Sequence, residues 1–178
     1  MSAALPVPLT VQSSLNNQFF YAQMAIGDKV LTQQPKTGGY WYVIIDRRDL
    51  SVVYNEVHSD FDTAPDIGSY NTTDYILAVA TLGVGLNRQP QGSLFKFLDL
   101  NGAGRQLRRI DQVAVQLNCG SLGTFGYALV GVLGDLNMPG FEGSQITNPN
   151  VGPILTVQLK AVDVNGTNYY TPVELSNS

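Results

Sequence analysis

Gly38-Gly-Tyr-Trp-Tyr-Val-Ile-Ile-Asp-Arg-Arg-Asp-Leu-Ser-Val-Val-Tyr-Asn-Glu56 is the stretch on which the fold turns. It holds two apolar, β-rich runs, residues 40–45 and 50–54, joined by the polar Asp46-Arg47-Arg48-Asp49. Such a pair with a short polar loop between them predicts a β-hairpin. Residues 40–45 carry no charge at all, whereas a half-wet strand alternates apolar with polar side chains. The first run is therefore expected to be a central strand covered on both faces. Trp41, the sole tryptophan, lies inside it. Buried, it is a core anchor; exposed beside tyrosines, it would offer a face for stacking sugars.

Outward from this hairpin the chain keeps a β rhythm. Pro6 and Pro8 force extended backbone and predict an N-terminal arm or edge strand, because proline cannot donate to a sheet ladder. Residues 18–31 alternate through Phe20, Ala22, Met24 and Ile26 toward a turn at Gly27-Asp28. Residues 33–39 mark a boundary. Beyond the hairpin, residues 57–70 form a polar loop with Asp60, Asp62 and Asp66, and residues 74–82 a second buried strand. Leu94, Phe97 and Leu98 fit one helix face, with Ser93 as the expected N-cap and Asn101-Gly102 as the stop. Val113, Val115 and Leu117 alternate, predicting a half-buried strand over 112–118, and residues 125–133 a further apolar strand. Residues 135–152 read as loop. Asn165-Gly166 between two alternating runs is a strong signal for a closing hairpin. Eight or nine strands and no βαβ alternation predict a mainly β fold. The expected form is an antiparallel two-sheet β-sandwich with one or two short helices. Its organisation is an arm and strand over 1–37, a core over 38–134, and a loop and hairpin over 135–178. That hairpin would pack on the core or on a neighbouring subunit.

The composition excludes several functions. The chain is 44% hydrophobic but only 13% charged, about half the charged share of ordinary soluble domains. With ten Lys and Arg and a net charge of −4, it lacks the basic stripe that a nucleic-acid partner demands. The densest basic group, Arg105, Arg108 and Arg109, is flanked by Asp99 and Asp111 and reads as a solvated surface. No signal peptide or membrane-length apolar run is visible. The chain ends are expected to be ordered against neighbouring subunits.

Candidate chemistry is sparse. His58 and Cys119 are each the only one of their kind, too few to supply a zinc site without carboxylates. Cys119, at an expected strand end, reads as a buried inert thiol. Asp60, Asp62 and Asp66 lack the turn glycine and terminal glutamate of a calcium loop. His58 has no Gly-x-Ser-x-Gly partner for nucleophilic catalysis. Glu56, Glu142 and Glu174, the only glutamates, stand in no motif for glycoside hydrolysis. Gly83, Gly85, Gly102, Gly104, Gly131 and Gly134 lack the lysine and helix of a phosphate cradle and read as turn glycines. No catalytic, cofactor or metal residue is assigned. The nine tyrosines suit core packing, protein interfaces or sugar stacking.

The order of elements resembles the interleukin-like EMT inducer (ILEI)/PANDER-like domain family, whose modules also occur in a glycan-processing enzyme stem and in phage proteins. Tyr42-Val-Ile-Ile-Asp followed by Leu50-Ser-Val-Val-Tyr is similar to its opening hairpin, V-x-x-x-D/N-x-x-x-G-x-V. Phe61-Asp-Thr with Tyr75-Ile-Leu-Ala-Val-Ala-Thr resembles its acidic segment and following strand. Leu94-Phe-Lys-Phe-Leu resembles its helix, and Gly126-Tyr-Ala-Leu-Val-Gly-Val-Leu-Gly its closing strand. The likeness covers residues 38–134. It departs at the first hairpin turn, where Asp49-Leu50 stands in place of glycine, and in lacking the paired cysteines of secreted animal members. The resemblance implies a compact sandwich with a binding role. The expected function is that of a non-enzymatic structural and interaction protein in a large assembly, a phage virion component such as a decoration, tail, baseplate or fibre-attachment protein. It would join neighbouring subunits through its terminal extensions. The alternative is a carbohydrate-binding module using exposed tyrosines or Trp41. No cofactor is expected.

Overall fold

The computed structural model describes residues 5–15, 21–34, 38–121, 123–146 and 152–175; the expectation of ordered chain ends falls outside them. Two antiparallel sheets and a helical layer stack in three tiers. The central sheet contains β4 (Gly39–Asp46), β5 (Val52–His58), β6 (Tyr75–Leu82), β7 (Val84–Gly85), β8 (Thr124–Val132) and β9 (Phe141–Gln145). It is ordered β5-β4-β6-β8-β7, with β9 also paired to β8. The outer sheet contains β1 (Val7–Gln12), β2 (Ala22–Ile26), β3 (Lys29–Gln33), β10 (Ile154–Val164) and β11 (Thr167–Val173), ordered β11-β10-β1-β2-β3. The fold is thus the mainly β, two-sheet antiparallel sandwich that the strand rhythm predicts, with helices α1 (Gly92–Leu100) and α2 (Arg105–Asp111) on the far side of the central sheet.

The uncharged run of residues 40–45 explains the tiers. Side chains alternate across a strand, so Trp41, Val43 and Ile45 meet Leu9, Val11, Met24, Val157 and Leu159 of the outer sheet. Tyr40, Tyr42 and Ile44 face the helices through Leu94, Leu98, Leu107 and Ile110. Neighbouring β6 and β8 divide in the same way, Ile76, Ala78 and Ala80 against Leu77 and Val79, and Ala128 and Val130 against Tyr127 and Leu129. Trp41 is fully buried, and its Nε1 donates to Asn55 Oδ1 at 2.7 Å.

Several local expectations are corrected. β1 is the middle strand of the outer sheet, not an arm or edge, despite Pro8. The Pro8 carbonyl accepts from Gly27 N at 2.8 Å, so its own nitrogen faces the same way, past the end of β2. Pairing with β2 starts only at Leu9–Ile26, so no ladder bond is lost. The segments flanking 38–134 therefore supply the second sheet of the sandwich and β9, while 38–134 supplies the rest of the central sheet and the helices. Residues 112–118 are not a strand: α2 runs on into a π-helical turn, Gln112–Gln116. Leu107, Ile110 and Ala114 point inward at helical spacing, leaving Val115 and Leu117 58% and 63% exposed. Ser93 does not cap α1. The first amides of that helix, Ser93 N and Leu94 N, donate to the Asp62 carbonyl, and Ser93 Oγ accepts from Ala64 N at 2.9 Å. Leu50 belongs to the hairpin loop, not to β5, and β5 runs on to His58 after a bulge opposite Ile44/Ile45. The stretch 135–152 contains β9. Asn165 (φ 53°) and Gly166 (φ 83°) make the expected β10–β11 turn.

Close approach fixes where α1 ends. Asn101 is buried, its Nδ2 donates to Phe97 O, and its Oδ1 accepts from Gly134 N. Gly131 of β8 lies against this turn, and a Cβ added there would run into the Asn101 carbonyl. Gly131→Ala is therefore expected to cost about 1–3 kcal/mol through forced displacement. Urea unfolding measures this, and an unchanged midpoint would refute the contact.

Candidate functional site

The structure gathers a polar constellation of ionisable side chains on edge strand β5. Tyr54, Glu56 and His58 alternate onto the face that β5 shares with Tyr42, their partners across the ladder being Ile44, Tyr42 and Tyr40. The Tyr54 hydroxyl lies 2.8 Å from His58 Nε2 and 3.2 Å from Glu56 Oε2, and its single proton can go to either acceptor. Glu56 Oε2 is 3.4 Å from His58 Nε2. The Tyr54 and His58 rings stack, and Tyr42 meets His58 edge-on at 5.5 Å. Burial, reinforced by Glu56, pushes the Tyr54 hydroxyl up to about 12. Burial also raises Tyr42, with Tyr54 and Asp60 adding to the effect. The Tyr42 hydroxyl is fully buried and has no hydrogen-bond partner among the described residues.

This group joins three side chains around the Tyr54 hydroxyl and, among the described residues, bonds no serine or cysteine nucleophile. It does not meet the geometry of a hydrolytic triad. The sequence pointed to His58 and Glu56 but not to Tyr42, Tyr54 or Asn55; the signal was the alternation of polar residues 54, 56 and 58 on an edge strand.

The remaining candidates are dispersed. Glu142 on β9 caps α2: Oε2 accepts from Gln106 N at 3.1 Å, and Oε1 from Leu107 N at 3.2 Å and from the Tyr127 hydroxyl at 2.7 Å. Glu174 is exposed beyond β11. Asp62 and Asp66 make local turn bonds to Thr63 Oγ1 and Gly68 N. No group of three or more His, Cys, Asp or Glu among the described residues is placed to hold a metal ion. Cys119 is half-buried after the π-helical turn, not sealed at a strand end, and its thiol donates to Leu117 O at 3.4 Å. Arg105, Arg108 and Arg109 line an open cleft of about 800 Å³ with Asp111, Gln112 and Gln116. Arg108 there is paired with Asp99 at 2.6 Å. Gly83, Gly102 and Gly134 take positive φ, as turn glycines do.

The class defined here is a three-tier β-sandwich whose polar cluster lies on an edge strand. No protein-family model matches the chain, and no curated protein is significantly similar to it. Among the described residues no helix is long and apolar enough to cross a membrane.

Two outcomes follow from the buried tyrosines. Tyr42→Phe removes a hydroxyl that bonds nothing among the described residues and is expected to be neutral or stabilising by up to about 1 kcal/mol. Tyr127→Phe deprives Glu142 of a donor and is expected to cost about 1–2 kcal/mol. Denaturant midpoints rank the two, and equal losses would refute the difference. Tyr40, Tyr42 and Tyr127 are all raised, first by burial, above their unfolded value. Their contribution is intact below about pH 10 and declines as pH rises beyond it, because the unfolded chain sheds these protons first. Tyrosinate absorbance is expected to show exposed rings ionising first and these three only together with unfolding. Their ionisation in a still-folded chain would contradict the burial.

Proposed function

We propose that the chain is a non-enzymatic structural subunit of a large assembly, a component of a phage particle, held to its neighbours through the open surfaces of its sandwich. The observation that carries this reading is the outward face of the outer sheet. Strand register places Thr10, Gln12, Gln23, Ala25, Thr156 and Gln158 there, with Val30, Val162 and Val164. Lys160 is the only charged strand residue on that face among the described residues, and the Arg47 guanidinium reaches its margin over Tyr169 and against Thr171. The helices pack on the other side of the molecule, against the central sheet. A broad face of hydroxyls, amides and valines with few charges matches the low-charge composition of interface cores.

The phage context rests on the family resemblance. Leu50 supports that likeness: it takes φ 61°, the left-handed region that favours glycine, at the position where the family pattern has glycine. Trp41 is sealed in the core and unavailable to a sugar, so the carbohydrate reading loses its strongest platform.

The chain is expected to co-purify with phage particles through a density gradient. Thr156→Glu combined with Val162→Glu, which puts carboxylates on the neutral face, is expected to reduce its incorporation while leaving the circular dichroism unchanged. A chain confined to the soluble fraction, with no trace in particles, would overturn this reading.

A further inference from the structure

The sole histidine needs a carboxylate beside it before it can hold a metal, and the fold supplies one. His58 Nε2, Glu56 Oε2 and the Tyr54 hydroxyl oxygen form a triangle with sides of 2.8, 3.2 and 3.4 Å. Donors held about 2.0–2.2 Å from a zinc ion, at tetrahedral to octahedral angles, stand roughly 3–3.5 Å apart. The three atoms are therefore already spaced as three corners of one coordination sphere. Their residues come from alternate positions of a single strand, so the backbone of β5 holds them on one face. The Glu56 and His58 side chains are 60% and 33% exposed, which lets an ion arrive from water and keep water on its remaining positions. Among the described residues no lysine or arginine bonds any of the three; Arg88 is turned instead to Ser59 O and the Phe61 ring.

We propose that Tyr54, Glu56 and His58 form a binding site for a divalent transition-metal ion of the zinc and copper kind. His58 gives the imidazole nitrogen, Glu56 the anionic oxygen and Tyr54 a neutral phenol oxygen. The phenol proton, which now points to His58 or Glu56, turns to solvent and leaves a lone pair for the ion. A second observation points to the same place. Tyr42 stands across the ladder from Glu56 and meets His58 edge-on, yet its fully buried hydroxyl bonds nothing among the described residues. Such a hydroxyl calls for a water or an ion as its partner, and a hydrated cation on this face brings water to it. The donor set also selects the ion. Imidazole suits zinc and copper, whereas calcium and magnesium take oxygen ligands and find only two here.

Isothermal titration of the full chain with zinc chloride tests this, in a Cys119→Ser background that removes the competing thiol. One ion per chain is expected. His58→Gln and Glu56→Gln are each expected to raise the dissociation constant by about tenfold or more, with unchanged circular dichroism. Tyr54→Phe is expected to raise it less, because it removes a neutral ligand. Calcium at the same concentration is expected not to compete. With copper(II), the electron paramagnetic resonance spectrum is expected to carry an imidazole-nitrogen splitting that His58→Gln abolishes. Zinc binding that is equally tight in His58→Gln overturns the site. So does a chain that gives no binding heat and no rise in thermal midpoint at millimolar zinc. Either result leaves the assembly reading untouched, since particle co-purification decides that separately.

Discussion

The constraint on which this molecule depends is that its central sheet is apolar on both faces. β4, β6 and β8 are buried almost end to end, so neither face tolerates water. One cover comes from α1, α2 and the π-helical turn, all local in sequence. The other cannot, and the chain solves this with its two flanking segments. β1 to β3 come from before the central sheet and β10 and β11 from after it, and β1 pairs with β10 across nearly the whole chain. The segments that look like extensions are thus indispensable lids. Leaving either off would expose one face of Trp41, Val43 and Ile45 to water, at a cost of roughly 1.5–3 kcal/mol for each large side chain.

How much of this was legible follows from which physics left a local mark. Double burial leaves uncharged runs, and those at 40–45, 74–82 and 125–133 all became inner strands. The Asn165-Gly166 turn was legible because its positive φ values demand such residues. The position of β1 was hidden because the penalty for Pro8 depends on which way its nitrogen faces, and only the partner strands decide that. Residues 112–118 misled because Val113, Val115 and Leu117 alternate by chance, while the inward series Leu107, Ile110 and Ala114 begins earlier, among arginines. Ser93 looked like a cap, but the helix starts one residue earlier, at Gly92, and the Gln91 carbonyl takes the Phe95 amide that a Ser93 cap would have served.

The polar groups were less legible still, because their use is settled by tertiary neighbours. Glu142 carries no motif, yet it meets two helix amides and a buried tyrosine at once. Asp46 pairs with Arg48 and Asp99 with Arg108, so these charges are committed locally. The hydrogen bond from Arg48 holds the Asp46 carboxyl below its ordinary value, against a smaller opposing effect of burial. His58 was visible as a singleton, but its partners were apparent only once β5 was known to extend to it.

Arg47 ties the two sheets together and thereby sets the geometry of β5. It stands in the loop between β4 and β5, and its guanidinium donates to Tyr170 O at 2.8 Å, Thr73 O at 2.6 Å and Thr171 Oγ1 at 2.7 Å. Its face lies over the Tyr169 ring. Half-burial lowers its pKa from the usual arginine range, with Asp135 and Asp74 opposing, yet arginine stays charged at any physiological pH. The loop that launches β5 is therefore bolted to β11 of the other sheet, and the bulge opposite Ile44/Ile45 fixes how the strand leaves it. An edge held in this way is ordered by folding itself. The clamp thus joins the two sheets at the very loop from which β5 starts.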